Sequence, residues 1–183
     1  MNTSDLFDPS RYSKKEITDA ALIVHPSSTK YNLKQEEIAQ IFEVGSNFTH
    51  LDVPIVDEYG NEYWDSEGYY MAKRTENLNE KKMIAFLSIG YGCSRKARDL
   101  FDLEQDEEKR ISYMREAIKL KFDSNPRLRE ELFTTKGRDI IEYTYWGDVF
   151  FGIEQTTLQG RNILGKLLVE YRDAYLRDNE NRE

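Results

Sequence analysis

The chain has 183 residues, of which 39% are hydrophobic and 33% are charged, and its formal net charge is −8 at pH 7. This length is sufficient for one domain with a hydrophobic core. The acidic balance argues against tight nonspecific binding to nucleic acid, which depends on basic surface. A single cysteine excludes an internal disulfide bond and a cysteine metal cluster. We find no signal peptide and no membrane-spanning apolar run, which predicts a cytoplasmic protein without a membrane partner.

The N-terminal residues are polar and have no regular pattern. Residues 1 to about 30 predict an irregular extension with a short apolar anchor at residues 20–24. Residues 32–42 fit either a helix capped by Asn32 or a strand, and the pattern leaves both interpretations open. The predicted division is an N-terminal extension at residues 1–38, a folded domain at residues 39–178 and a disordered tail at residues 179–183.

The rest of the chain is rich in predicted helix. A hairpin is predicted over residues 53–64, because Ile55-Val56 and Tyr63-Trp64 flank a turn-rich insert. Helix starts are indicated by N-cap residues that precede apolar residues at helical spacing. The predicted helices are one capped by Ser66 and running to about residue 77; 80–88, capped by Asn79; one capped by Ser94 and ending near residue 104; a long helix from Asp106; a short helix opened by Asn125-Pro126; and 162–176, with a strand at 139–143. These elements predict an α+β fold: a helix-rich single domain with a small sheet or hairpin.

One predicted helix carries a charged face. Tyr70, Met71 and Arg74 follow Glu67 by three, four and seven residues, so the four share one face. Glu67 and Arg74 would be about 10 Å apart along the axis, which suits two ends of one ligand better than one salt bridge. The helix N-terminus favours the ionised form of Glu67, as a general base or a stabiliser of positive charge would need. The alternative is that Glu67 only complements the helix dipole.

A second group of polar residues lies near the C-terminus. Trp146, Gly147 and Asp148 place an aromatic ring, a flexible backbone point and a carboxylate side by side. A glycine-flanked turn then supplies Arg161 and Asn162 just before a helix. Together these groups could stack on, hydrogen-bond to or exchange a proton with a polar ligand. The alternatives are a core tryptophan beside an ordinary Gly-Asp turn, and an asparagine that acts as a helix N-cap.

Other candidate motifs do not carry a function. Residues 90–95 begin like a dinucleotide-binding loop, but Arg95 replaces the third glycine and the preceding residues predict a helix. His25 and His50 are the only histidines, which argues against a serine triad or a multi-histidine metal site. We therefore predict no metal and no cofactor.

The order of several short motifs resembles that of the NADAR family. The resemblance covers about residues 41–176. Its motifs are Ser46-Asn47-Phe48, Ser66-Glu67-x-Tyr69-Tyr70-x-Ala72-Lys73-Arg74, Lys121-Phe122, Asn125-Pro126-x-Leu128, Leu132, Thr134, Glu142, Trp146-Gly147-Asp148 and Gly160-Arg161-Asn162-x-Leu164-Gly165. Each motif is short, but their shared order argues against a chance match.

The resemblance implies an N-glycosidase, a hydrolase that cleaves the bond between a phosphorylated ribose and a nitrogen base. Family substrates are early riboflavin-pathway intermediates and ADP-ribose attached to guanine, so ADP-ribosylated nucleic acid is a further candidate. Glu67 takes the position of the family's essential glutamate and Asp148 that of its second acid. The predicted substrate-binding residues are Ser46, Asn47, Phe48, Tyr70, Arg74, Trp146, Gly147, Arg161 and Asn162.

The sequence departs from the family pattern at three places, which lie near Glu67 or Asp148 in the sequence. Gly68 stands where the family usually has histidine, Arg74 stands where it usually has lysine, and residues 149–151 are more apolar than the usual glycine-rich loop. They keep two alternatives open: a binding module that recognises ADP-ribose or a related nucleotide without cleaving it, and an interaction domain that has lost the pocket. The oligomeric state is left open.

Overall fold

The computed structural model describes residues 10–24 and 33–180. These residues form two compact units: unit 1 contains residues 10–24, 33–46 and 131–180, and unit 2 contains residues 47–130. Unit 1 therefore takes in residues on both sides of the predicted extension boundary at residue 38. His25 and Asn32 lie outside the described residues.

Helices predominate among the described elements and the strands are short, so the predicted α+β class is confirmed. The elements in chain order are α1 (Lys14–Asp19), β1 (Ala21–Ile23), β2 (Gln40–Ile41), β3 (Ile55–Val56), β4 (Glu62–Tyr63), α2 (Ser66–Lys73), α3 (Leu78–Ser88), α4 (Ala97–Leu100), α5 (Glu107–Ser124), α6 (Pro126–Phe133), β5 (Ile140–Thr144), β6 (Ile153–Glu154) and α7 (Ile163–Glu180). Short 3₁₀ turns occur at Gln35–Glu37, Glu43–Gly45 and Ser94–Lys96. No helix within the described ranges has the length and apolar character needed to cross a lipid bilayer.

Unit 1 is built on a parallel sheet with the strand order β2-β1-β5-β6. The central strand β1 pairs Leu22 with Ile41 of β2 and with Ile141 of β5. All three residues of β1 are buried, as is usual for a parallel strand covered on both faces. The prediction of an irregular segment was therefore wrong for residues 14–23, which form α1 and β1.

Two local features explain how this segment becomes ordered. Ser13 and Glu16 form a capping box at the start of α1, in which each side chain bonds the backbone N–H of the other residue. The apolar residues that follow then join the core of unit 1, which consists of Ile17, Ala20, Leu22, Val24, Ile141, Tyr143 and Ile153. Residues 20–24 thus contain a core strand, residues 21–23, with buried residues on either side of it, rather than an anchor on an extension.

Helix α7 packs directly on strand β5. A Cβ atom added at Gly165 would lie 1.9 Å from the carbonyl oxygen of Ile140, so the close approach requires glycine. This contact fixes the first turn of α7, which follows the predicted site residues Arg161 and Asn162, relative to the start of β5. The helix also extends to Glu180, beyond the predicted end at residue 176 and into the predicted tail.

The buried Arg172 of α7 holds the turn that follows α6. Its Nη1 lies 2.7 Å from the Thr135 carbonyl oxygen, 2.9 Å from Thr135 Oγ1 and 2.8 Å from the Arg138 carbonyl oxygen. These carbonyls follow a helix C-terminus, where acceptors lack intrahelical donors. Arg172 therefore satisfies acceptors that no helical N–H reaches.

Replacing Arg172 with methionine should lower the free energy of unfolding by about 2 kcal/mol, because the acceptors in this turn lose a buried charged donor. Urea denaturation followed by circular dichroism measures the change. Arg177→Met is the matched control, since Arg177 is exposed in the last turn of the same helix. Equal stability of the two variants would contradict the assigned role.

Unit 2 places α2 against both α3 and α5, and its hairpin pairs Ile55 with Tyr63. The predicted hairpin is confirmed. Every residue from Ser66 to Ala72 is buried, so α2 is a core helix rather than a surface one. Its N-cap is Asp65, not Ser66, because the Asp65 carboxylate accepts from Gly68 N at 2.6 Å.

Several other helices begin or end at residues different from those predicted. Helix α2 ends at Lys73, and α3 begins at Leu78 with Asn77 rather than Asn79 as its cap. The helix predicted over residues 94–104 is only a 3₁₀ turn and the short α4, which ends at Leu100, and the Ser94 hydroxyl donates to Asp65. The predicted starts of α5 at its Asp106 cap and of α6 at Pro126 are confirmed, as is the strand predicted at 139–143 in unit 1.

Candidate functional site

One group of predicted site residues surrounds Glu67 in unit 2. Glu67 is the second residue of α2 and is only 7% exposed. Asn47 contacts it twice: Asn47 Nδ2 donates to Glu67 Oε2 at 3.4 Å, and Glu67 N donates to the Asn47 carbonyl at 3.1 Å. The Ser66 hydroxyl also donates to that carbonyl, at 3.2 Å. Two predicted site residues, Asn47 and Glu67, are therefore in direct contact, and the Asn47 amide donates to the carboxylate.

Tyr70 and Arg74 lie further along the same face of α2. The Arg74 guanidinium carbon is 5.3 Å from the centre of the Tyr70 ring, and Arg74 Nε donates to the Glu104 carbonyl at 2.8 Å. Arg110 of α5 donates from Nε to the Tyr70 hydroxyl at 3.2 Å. Two guanidinium groups are thus positioned by one phenol side chain.

The Arg74 side chain is buried without a counter-charge in direct contact. It is 4% exposed and makes no ion pair with any residue of the described ranges. Burial lowers the pKa of its guanidinium, and the field of Glu67 partly offsets this effect while that of Arg110 adds to it. Burial also raises the pKa of Tyr70, which keeps the phenol neutral. The arrangement suits an anionic ligand group, since a buried cation without compensation costs free energy.

Arg110 was missed in the sequence. It lies four residues before Met114 and eight before Ile118, both of which are buried on the inward face of α5. A charged residue at a position of the apolar stripe was the available signal.

A separate group of predicted site residues lies in unit 1, in the loop after β5. Asp148 Oδ1 accepts hydrogen bonds from the backbone N–H groups of Phe150 and Phe151, both at 2.9 Å. Gly147 has a φ of +81°, a conformation that favours glycine. Trp146 is 43% exposed and stacks edge-on with Tyr145. Trp146 is therefore not a core residue, and the loop presents its ring to solvent.

The turn before α7 contains two predicted site residues, Arg161 and Asn162, which make different contacts. The Arg161 guanidinium lies 4.8 Å from the centre of the Phe150 ring, and Arg161 is half-buried. Asn162 is buried, with Nδ2 donating to the Ile140 carbonyl at 2.8 Å and Oδ1 accepting from Glu142 N at 3.1 Å. The Asn162 amide thus fastens the turn to β5.

The structure brings the predicted residues together within each unit. Unit 2 assembles four of them, Asn47, Glu67, Tyr70 and Arg74, and adds Arg110; its Phe48 is half-buried. The other predicted residues belong to unit 1: Ser46, which is buried, and Trp146, Gly147, Asp148, Arg161 and Asn162.

The family described as "NADAR domain" matches residues 32–176 of this chain. The chain belongs to the NADAR family. It is 30% identical over 120 residues to a protein named N-glycosidase YbiA from Escherichia coli strain K12, which covers 62% of this chain and 71% of that protein. A protein of the same name from Shigella flexneri matches with the same identity and coverage.

A solved structure supports the fold of this NADAR protein. The NMR structure of the E. coli protein YbiA matches with a TM-score of 0.64 over 88% of each chain. The sequence identity of this match is 24%, so it shows a shared fold and nothing about activity. The predicted family and fold are both confirmed.

The departure at Gly68 from the NADAR pattern has a steric reason. A Cβ atom at this position would lie 2.7 Å from Cβ of Ser88, where α2 approaches α3. Ser88 is itself held in place, since its hydroxyl donates to the Ala85 carbonyl at 2.7 Å and accepts from Trp64 N at 2.9 Å. A histidine at position 68 would require this helix pair to separate.

A buried pair of charged residues lies beneath the first turn of α2 in this NADAR protein. Asp65 Oδ1 accepts from Gly68 N, and Oδ2 accepts from the Ser94 hydroxyl at 3.1 Å. Burial raises the pKa of Asp65 to about 7 and lowers that of Lys121 to about 7. Each charge partly offsets the effect of burial on the other. Asp65 therefore caps the helix that carries Glu67 and interacts electrostatically with the buried Lys121.

Stability should depend on pH through Asp65. The pKa of an aspartate in the unfolded chain is about 3.9, whereas burial raises the pKa of Asp65 in the folded protein to about 7. Between these values the folded state binds the extra proton, so the Asp65 contribution to stability falls as pH rises. Asp65→Asn keeps an oxygen for the Gly68 N–H but lacks this titration.

The unfolding free energy of the wild type relative to Asp65→Asn should therefore fall by more than about 1 kcal/mol between pH 4 and pH 7. Urea denaturation of both proteins at several pH values tests this. Parallel pH profiles for the two proteins would be inconsistent with a raised pKa at Asp65.

Proposed function

We propose that this protein is an N-glycosidase that hydrolyses the bond between a phosphorylated ribose, or ADP-ribose, and a nitrogen base. Similarity to proteins named N-glycosidase supports a glycosidase-type activity. The observation that carries the proposal is the buried Glu67 carboxylate, oriented by Asn47 on a helix face that also holds Arg74. Candidate substrates are ribosylaminopyrimidine phosphates of the riboflavin pathway and ADP-ribosylated guanine, free or in nucleic acid.

The chemistry requires a negative charge near the anomeric carbon. Positive charge develops on the ribose ring as the C1′–N bond breaks. The leaving base keeps the bonding electron pair and takes up a proton, while the oxygen of a water molecule bonds to C1′. Glu67 would stabilise the ring charge and orient or deprotonate that water.

For unit 1 the proposal rests on the order of the motifs. Asp148 is assigned either to hold ribose hydroxyls or to protonate the leaving base. Oδ2 of Asp148 suits such a role, because Oδ1 is committed to the backbone of its own loop. The exposed ring of Trp146 suits stacking on a base, as does Phe48 in unit 2.

A second candidate function is a binding module that recognises ADP-ribose or a related nucleotide without cleaving it. The observation in its favour is Gly68, which leaves no titratable side chain directly after Glu67 where the family usually has histidine. The buried Arg74 would serve a binder as well as an enzyme.

One assay separates these functions. The protein is incubated with ribosylaminopyrimidine phosphates and with ADP-ribosylated guanosine, and free base and ADP-ribose are quantified by liquid chromatography and mass spectrometry. Release from either substrate is the expected result. Tight ADP-ribose binding without release would support the binding module. The absence of both release and binding would overturn both functions.

A further inference from the structure

Two arginines of unit 2 contact the Tyr70 side chain and form a cationic group around it. Arg74 lies against the Tyr70 ring, and Arg110 donates to the hydroxyl of the same ring. Each guanidinium has its Nε committed, that of Arg74 to the Glu104 carbonyl and that of Arg110 to Tyr70. Because one hydrogen bond from Nε restricts the plane of a guanidinium, both groups are oriented before a ligand arrives.

Within the described residues, no carboxylate forms an ion pair with the positive charge of Arg74. This guanidinium is almost fully buried and forms no ion pair within the described part of the chain. The field of Arg110 further disfavours its charged form, and Glu67 acts on it only at longer range. A ligand with a compact negative charge would relieve this imbalance, and planar guanidinium groups suit the oxygens of a phosphate.

We infer that Arg110, together with Arg74, forms a subsite for the phosphate of the ribosyl ligand and makes the protein prefer phosphorylated over unphosphorylated ribose. The inference rests on the proposed function for the identity of the ribosyl group. It assigns to Arg110 a specificity role that the sequence motifs did not identify. Tyr70 acts as the positioning residue, since its hydroxyl and its ring hold the two guanidinium groups.

Calorimetric titration with ribose 5-phosphate and with ribose tests the subsite without requiring turnover. The wild type should bind ribose 5-phosphate about tenfold more tightly than ribose. Arg110→Gln should remove most of this preference by weakening only the phosphorylated ligand. Arg110→Lys should retain part of it, because the charge remains while the planar donor is lost.

Lys119→Gln is the matched control. It removes the same charge from an exposed residue of α5 that pairs with Asp123, away from Tyr70 and Arg74. The preference for phosphate should be unchanged in this variant. Tyr70→Phe provides a second variant inside the subsite, which should weaken the preference by releasing the Arg110 side chain.

The outcomes distinguish this inference from the proposed function. An unchanged phosphate preference in Arg110→Gln, or equal binding of both ligands by the wild type, would overturn the subsite even if base release is observed. Phosphate preference that depends on Arg110 without base release would support the subsite and count against the glycosidase. If circular dichroism shows that Arg110→Gln is unfolded, Arg110→Lys and Tyr70→Phe decide the question by the same measurement.

Discussion

Glu67→Gln should lower the rate of base release by about 10³-fold while leaving the fold and the affinity for ribose 5-phosphate near those of the wild type. Glutamine has the same shape, and its amide oxygen can still accept from Asn47 Nδ2. It lacks the negative charge that would stabilise the ribose ring as the C1′–N bond breaks. The loss should therefore appear in kcat rather than in KM.

The control for this variant is Glu116→Gln in α5. Glu116 is also a carboxylate of unit 2, and it accepts from the Tyr69 hydroxyl at 2.7 Å and pairs with Lys73. Glu116→Gln changes the net charge by the same amount as Glu67→Gln but lies outside the candidate site, so base release should change little. Base release that survives unchanged in Glu67→Gln would show that the proposed role of this carboxylate is wrong.

Gly165→Ala should lower the free energy of unfolding by about 3 kcal/mol. In most helices the same substitution stabilises by about 0.5–1 kcal/mol, because alanine restricts the unfolded chain and favours the helix. Here the added Cβ would lie 1.9 Å from the Ile140 carbonyl oxygen and 2.6 Å from both polar atoms of the Asn162 amide. Since Ile140 belongs to a central pair of strands, the backbone has little room to move.

Urea denaturation of Gly165→Ala and of Lys166→Ala measures this effect. Lys166 is the next residue of the same helix and is exposed, so its replacement should change stability by less than about 0.5 kcal/mol. A Gly165→Ala variant as stable as the wild type would mean that α7 can move away from β5. The direct contact described between this helix and strand would then not be required.

The elements predicted correctly are those with strong local signals. Helix α5 has an acidic cap and apolar residues at helical spacing, and α6 begins with a proline at its first position. Strand β1 has only three residues and no alternating pattern. Its partners, residues 40–41 and 140–142, lie elsewhere in the chain, so no local signal could identify it.

The candidate site was predictable to a similar extent. The shared face of Glu67, Tyr70 and Arg74 follows from helical spacing alone. Arg110 contacts Tyr70 from a position 40 residues away, which helical spacing within α2 could not reveal. Asn162 has a side chain suited to a ligand or a cap, and only the tertiary structure shows that both ends of its amide bind β5.

The cap of α2 shows why adjacent residues are hard to tell apart. Asp65 and Ser66 are both good N-cap residues by type. The hydroxyl of Ser66 bonds the carbonyl of Asn47, which leaves the cap to Asp65. The choice depends on a neighbouring segment and is not encoded in the two residues themselves.

The position of β1 has a consequence for how NADAR domains are delimited. The family match begins at residue 32, whereas the middle strand of the sheet in unit 1 ends at residue 23. A fragment cut to the matched region would lose this strand and leave the facing edges of β2 and β5 without partners. In this chain the stretch that matches the family is therefore shorter than the stretch that folds, and the family motifs alone are an unsafe guide to where it can be shortened.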